Sequence, residues 1–100
     1  MPSVQDIRRA MHVLFNEATE RSLRLMLRYP ECEREARGFV RDGNACMANL
    51  LSQLDEPPER SSSEIAHIWE KAESESLNLM RRIQHQMEQA QAMREKQQLP

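Results

Sequence analysis

His67 is the first residue to test for chemistry. Glu64 stands three residues before it and Glu70 three after, so on a helix all three side chains share a face and could offer a metal two or three ligands. No His-Glu-x-x-His or Cys-x-x-Cys accompanies them, and such a triplet arises readily by chance, so a structural or solvated role is the simpler reading. Cys32 and Cys46 are fourteen residues apart, which is neither a zinc pattern nor a disulfide framework. On one helix they would stand about 21 Å apart, too far to bridge. They read as reduced, buried, small apolar residues. The serines sit at expected helix starts, where capping explains them, and His12 and His85 are isolated, so no nucleophile–base–orienter set is assembled. No glycine-rich loop is present to cradle a phosphate. The expectation is a non-enzyme with no catalytic, cofactor-binding or metal-binding residues.

Acids are the better candidates for recognition. The chain of 100 residues has a net charge of −2. Residues 1–30 carry a net +2, residues 31–80 a net −6 from eleven acids against five bases, and residues 81–100 a net +2. An acidic middle suits a basic partner as well as it suits solvent. The candidate partner-binding residues are Asp55, Glu56 and Glu59, in a Pro-rich linker, then Glu31, Glu33 and Glu35 at the start of a helix, and Asp42. Glu31, Glu33 and Glu35 also serve the positive end of the helix dipole. The linker acids have no such task, which favours them as contacts. The bases are twelve Arg and two Lys. Arg8-Arg9, Arg81-Arg82 and the stripe Arg21/Arg24/Arg28 have no aromatic platform beside them, so direct nucleic-acid binding is not expected.

These residues must be positioned by helices. Ala, Leu, Met, Glu, Gln and Arg dominate, and only 4% of residues are aromatic. Ser3 with Asp6 makes a capping box, and Val4, Ile7, Met11, Leu14, Phe15, Ala18, Ser22, Leu25, Met26 and Tyr29 follow at helical spacing. The segment SLRLMLRY alternates like a strand, yet it continues this helical phase, and Glu17 and Glu20 stand four residues before Arg21 and Arg24. Leu23 and Leu27 form a second apolar strip. Pro30 ends this helix and opens the next. There Ala36, Phe39, Val40, Gly43, Met47, Leu50 and Leu54 hold one phase across Asp42-Gly43-Asn44, which is turn chemistry. That conflict leaves open one helix or two. Pro57-Pro58 makes a linker, and Ser61 with Glu64 caps a third helix with Ile65, Ile68, Trp69, Ala72, Leu79, Met80, Ile83, Met87 and Ala90 on its face.

The predicted fold is all-α: a single domain over residues 1–100, a small antiparallel bundle of about three helices. They lie near 4–29, 31–54 and 62–95, with a linker at 55–61 and a frayed tail at 96–100. The third helix, about 50 Å long, should overhang the others. Its surplus length, with Met80, Met87 and Met93, or the Leu23/Leu27 strip, would support a homodimer. No apolar run is long enough to span a membrane, and residues 1–20 lack the apolar core of a secretory signal, so a cytoplasmic location is expected.

The run MPSVQDIRRAMHVLFNEATERSLRLMLRYPECEREARGF, with the later EPPERSSSEIAHIWEKAE, resembles phage-encoded anti-CRISPR proteins of the type I-F class. The likeness is to the chain as a whole and includes no compact motif. It implies a non-catalytic inhibitor that binds the RNA-guided surveillance complex in the bacterial host and blocks target-DNA binding. Such a complex presents Lys and Arg to phosphate, and acids can occupy those sites. The alternatives are a small cytoplasmic chaperone or assembly partner working through an apolar helix face, or a small helical nucleic-acid-binding regulator.

Overall fold

The computed structural model describes residues 3–55 and 61–98. Three helices, α1 (Val4–Arg28), α2 (Glu33–Asp55) and α3 (Ser62–Gln98), form an up-down-up bundle, and a 3-10 turn, Pro30–Cys32, joins α1 to α2. No strand occurs among the described residues. The all-helical bundle with a long third helix matches the expectation from hydrophobic phase. The bundle is a rod with extents of 63 × 17 × 15 Å.

Both expected capping boxes form. The Ser3 hydroxyl accepts from the Asp6 amide at 3.1 Å, and the Asp6 carboxylate accepts from the Ser3 amide at 3.1 Å. Ser61 and Glu64 make the same exchange at 3.2 and 3.3 Å. The junction differs from expectation. Tyr29 leaves the helix, its amide still bonded to the Leu25 carbonyl, and Pro30 starts one tight turn before α2 begins at Glu33 rather than at residue 31. Proline lacks an amide proton, and its ring keeps the preceding residue out of helical geometry, so the chain reverses here without a long loop. Most of the expected linker, including Glu56 and Glu59, lies outside the described residues. At the other end the helix does not fray at residue 96 but continues to Gln98, with Gln84 donating to Glu88 and Gln91 to Glu95 across single turns.

The buried positions repeat every eleven residues in all three helices. In α1 and its C-cap they include Ile7, Ala18 and Tyr29; in the turn and α2, Cys32, Gly43 and Leu54; in α3, Ile68, Leu79 and Ala90. Eleven residues are close to three helical turns, so each stripe faces its neighbours along the full rod with little supercoiling. Two packed clusters result. One holds Ile7, Met11, Phe15, Leu50, Leu54, Ile68 and Ala72, flanked by half-buried Leu14 and Trp69. The other holds Ala18, Leu25, Tyr29, Cys32, Ala36, Phe39, Leu79, Ile83 and Ala90, flanked by Met26, Met80 and Met87. Two of the three methionines of the expected α3 stripe are therefore core contacts, while Met93 stays exposed. His12 is exposed.

Between the clusters the helices approach closely. Ser22 is fully buried and donates to the Ala18 carbonyl at 2.8 Å, and Ser76 donates to the Glu73 carbonyl at 3.0 Å, so each hydroxyl is satisfied within its own helix. Gly43 is the contact point. A methyl group there would come within 3.1 Å of Leu79 Cδ2. This explains why α2 runs unbroken through Asp42-Gly43-Asn44: tertiary contact overrides local turn preference.

α3 has 37 residues, about 55 Å. The hairpin covers it as far as Arg94, which lies over the Tyr29 ring. The overhang is about one turn.

The two glycines of α2 should respond oppositely to substitution. A methyl group at Gly38 would meet only the Arg41 side chain, at an ordinary 3.7 Å, so Gly38→Ala should stabilise by about 0.5–1 kcal/mol through helix propensity. Gly43→Leu should overfill the Leu79 contact and cost about 1–3 kcal/mol. Urea unfolding midpoints of the two variants against the parent check both signs.

Candidate functional site

The acidic candidates do not form one surface. Glu31, Glu33 and Glu35 lie at the end of the rod where α1 turns into α2, and Asp55 lies at the opposite end. Glu33 and Asp55 are separated by about 33 Å of helix. Asp42 lies between them.

Most of these acids are already engaged. Glu31 takes both Arg94 nitrogens, Nε at 3.0 Å and a terminal nitrogen at 3.1 Å, while the same guanidinium lies 4.5 Å from the centre of the Tyr29 ring. Asp42 takes Arg82 at 3.2 Å, and that guanidinium covers Phe39 at 5.2 Å. Asp55 pairs with Arg8. As the last residue of α2, Asp55 meets the negative pole of its helix, and Arg8 meets the positive pole of α1, so each offsets the other's misplacement. Glu33 pairs with Arg37 one turn on, at 2.9 Å. Glu35 forms no ion pair among the described residues. Three of the seven candidates are thus clasps between elements, with Glu31, Asp42 and Asp55 each holding an arginine from a different helix or a different turn. Each lies at the surface, where solvent screens it, so none is a large source of stability.

Folding also redistributes the charge. In the half of the rod made from residues 3–15, 45–55 and 61–76, six carboxylates face three cations. In the half made from 16–44 and 77–98, eight carboxylates face ten cations. The rod is a charge dipole, acidic at the α2–α3 end. Glu70, Glu73 and Glu75 in that half form no ion pair among the described residues. The nine described acids of residues 31–80 end up divided between a neutralised half and an acidic one. Of the sequence candidates, Asp55 belongs to the acidic half.

The expected Glu17–Arg21 pair forms at 3.2 Å, but no Glu20–Arg24 pair does. The His67 triplet gathers no metal site: among the described residues no group of three or more His, Cys, Asp or Glu could hold an ion. Glu64 instead takes the Ser61 hydroxyl at 2.9 Å. Both cysteines are free, Cys32 buried and Cys46 half-buried. Burial, and then the nearby Glu75 charge, push the Cys46 thiol above its ordinary value, which lowers its thiolate fraction and its reactivity.

A feature that spacing alone did not show is apolar. The exposed large hydrophobic residues Val13, Leu23, Leu27, Leu77 and Met93 all lie on α1 and α3. Val13 is 70% exposed and Leu77 50%, and they flank a groove between α1 and α3 whose floor includes Leu14, Trp69 and Met80. Leu23 lines a separate hollow against Val40 of α2. The signal was present in the sequence, since Val13 and Leu77 break the polar phase of their helices, but nothing local places one beside the other. No helix among the described residues is long and apolar enough to cross a membrane. Comparison with family models, curated proteins and solved structures finds no match.

The Arg94 guanidinium beside Glu31 holds its carboxyl below the ordinary value of 4.5. The folded form therefore binds that proton less tightly than the unfolded chain. Its contribution is complete above pH 4.5 and is lost as pH falls through the lower folded value. Asp6, bonded by the Ser3 amide, behaves the same way from 3.8. A carbon-detected NMR titration should show Glu31 titrating below 4.5 in the parent and close to 4.5 in Arg94→Ala.

Proposed function

We propose that this chain is a non-catalytic inhibitor that works by binding a basic, nucleic-acid-handling protein complex. The observation that carries the reading is the acidic half of the rod, where Asp55 stands in a region with twice as many carboxylates as cations. A rigid helical rod with one acidic end can cover a Lys/Arg surface meant for phosphate without itself binding nucleic acid. The whole-chain likeness to type I-F anti-CRISPR proteins supplies the target: the RNA-guided surveillance complex, met in the cytoplasm of the bacterial host. The acids that favour this reading are Asp55, Glu56 and Glu59. Glu31, Glu33 and Asp42 favour it less, because they lie in the half of the rod where cations outnumber carboxylates, although Asp55 too must leave an arginine, Arg8, to meet a partner.

The deciding experiment is inhibition of target-DNA binding by a purified type I-F surveillance complex. Wild type should inhibit. Reversal of Asp55, Glu56 and Glu59 to Lys should weaken inhibition strongly, by several kcal/mol if the contacts are central and desolvated. Reversal of Glu31, Glu33 and Glu35 should weaken it less. Breaking the exposed Arg8–Asp55 pair should cost only about 0.2–1 kcal/mol of stability, so helix content by circular dichroism should remain. Absence of inhibition by wild type would overturn the target. Equal loss from the two triple reversals would overturn the acidic-end mechanism.

A further inference from the structure

We propose that the α1/α3 groove is a self-association surface, and that its occupant is a second copy of this chain packed antiparallel, related by a two-fold axis that crosses the groove at Met80.

The groove is continuous and its two ends differ in charge. One end is lined by Val13, Leu14, Trp69 and Leu77, and its charged residues are the acids Glu17 and Glu73. The other end is floored by Ile83 and Met87, and its charged residues are Arg21 and Arg24. Met80 lines both. Only an antiparallel second copy satisfies this pattern with itself: a parallel copy would set acid against acid and arginine against arginine. The antiparallel copy brings Arg21 and Arg24 over the end of its partner's groove that carries Glu17. Arg21, bonded to Glu17 of its own chain at 3.2 Å, can then share the partner's Glu17, while Glu73 meets the neutral Gln84 end of the partner's α3. It also sets the protruding Val13 and Leu77 against the Ile83–Met87 hollow. The dipole of the whole rod favours the same orientation, acidic half against basic half.

The position of the axis has a second consequence. Met80 is the midpoint of α3, which runs from residue 62 to residue 98. An axis there overlaps the two rods along nearly their whole length. Overlap along most of a rod 63 Å long is what two narrow helical faces need to approach the roughly 800 Å² per partner of a stable interface. An axis displaced toward either end would lose both area and charge match. The interface leaves α2 and Asp55 on the outside, so it does not compete with the acidic end, and it does not depend on the proposed inhibition.

Two charge variants test the interface and its direction together. By sedimentation velocity at up to about 100 µM, a range in which interfaces of this size commonly associate, wild type should be a dimer. The variant Arg21→Glu/Arg24→Glu makes both ends acidic, and Glu17→Lys/Glu73→Lys makes both basic. Each alone should raise the dimer dissociation constant by at least about tenfold, since like charges then oppose each other. An equimolar mixture of the two should recover the dimer, because each acidic rim then meets a basic one. Circular dichroism shows whether the variants keep their helices, and recovery in the mixture shows it independently. A monomeric wild type would overturn the proposal. So would a wild-type dimer untouched by either reversal, or two dissociated variants that do not recover on mixing.

Discussion

A helix of 37 residues can stay packed on two neighbours only if its buried stripe keeps facing them for its whole length, and this constraint governs the rest of the rod. A stripe that repeats every seven residues drifts backward around a straight helix and forces a left-handed supercoil. Here the repeat is eleven, three turns plus about 20°, so the stripe turns slowly and slightly the other way. Ile68, Leu79 and Ala90 keep nearly the same bearing over six turns, and Cys32, Gly43 and Leu54 oppose them from α2. Straight helices permit close approach at the centre. Gly43 is the residue that makes this possible, because Leu79 occupies the space a side chain would need.

That solution carries a degeneracy. A pattern that repeats every eleven residues looks much the same to itself after a slip of one repeat, about 16 Å along the axis. The apolar stripes alone therefore discriminate weakly between registers. Discrimination comes from what does not repeat. Gly43 accepts Leu79 where Cys32 and Leu54, its equivalents one repeat away, would not accept such an approach. The Pro30–Cys32 turn fixes α1 against α2. The clasps Asp55–Arg8, Asp42–Arg82 and Glu31–Arg94 tie α2 and its leading turn to the other helices at three heights. Each is weak as a source of stability, yet a slip of one repeat would put Ile83 in place of Arg94 opposite Glu31, or Thr19 in place of Arg8 opposite Asp55, and so lose the pair. The paired acids Glu31, Asp42 and Asp55 are better understood as register markers first.

The same division explains what could be read from the sequence. Hydrophobic phase and capping are local, so the three helices, both capping boxes and nearly the whole core were legible, from Ile7 and Met11 to Ile83 and Ala90. The Asp42-Gly43-Asn44 segment was ambiguous because its local chemistry favours a turn. The contact that decides otherwise comes from Leu79, thirty-six residues away. The candidate site was less legible for the same reason. Glu17–Arg21 is one turn apart and could be anticipated, whereas Glu31–Arg94 spans 63 residues. Seen along the chain, residues 31–80 are an acidic block. In the rod, antiparallel packing lays part of that block beside Arg82 and Arg94, while among the described residues Glu70, Glu73 and Glu75 form no ion pair.

Packing creates the groove between α1 and α3 in a comparable way. On its own helix Val13 is a single exposed valine, and single exposed apolar residues are ordinary. Leu77 is the same on α3. They become one surface because α1 and α3 run parallel, on either side of a floor that includes Trp69 and Met80. The parallel relation also explains why the charge gradient runs along the groove and not across it. The α1 rim passes from Glu17 to Arg21 and Arg24, and the α3 rim from Glu73 to the neutral Gln84, at nearly the same height. A groove of uniform charge would accept many orientations of a partner. One that reverses sign at its midpoint excludes the parallel alignment of a second copy and favours the antiparallel one, and the helix order of the bundle produces that reversal without any residue beyond those that build the core and its rims.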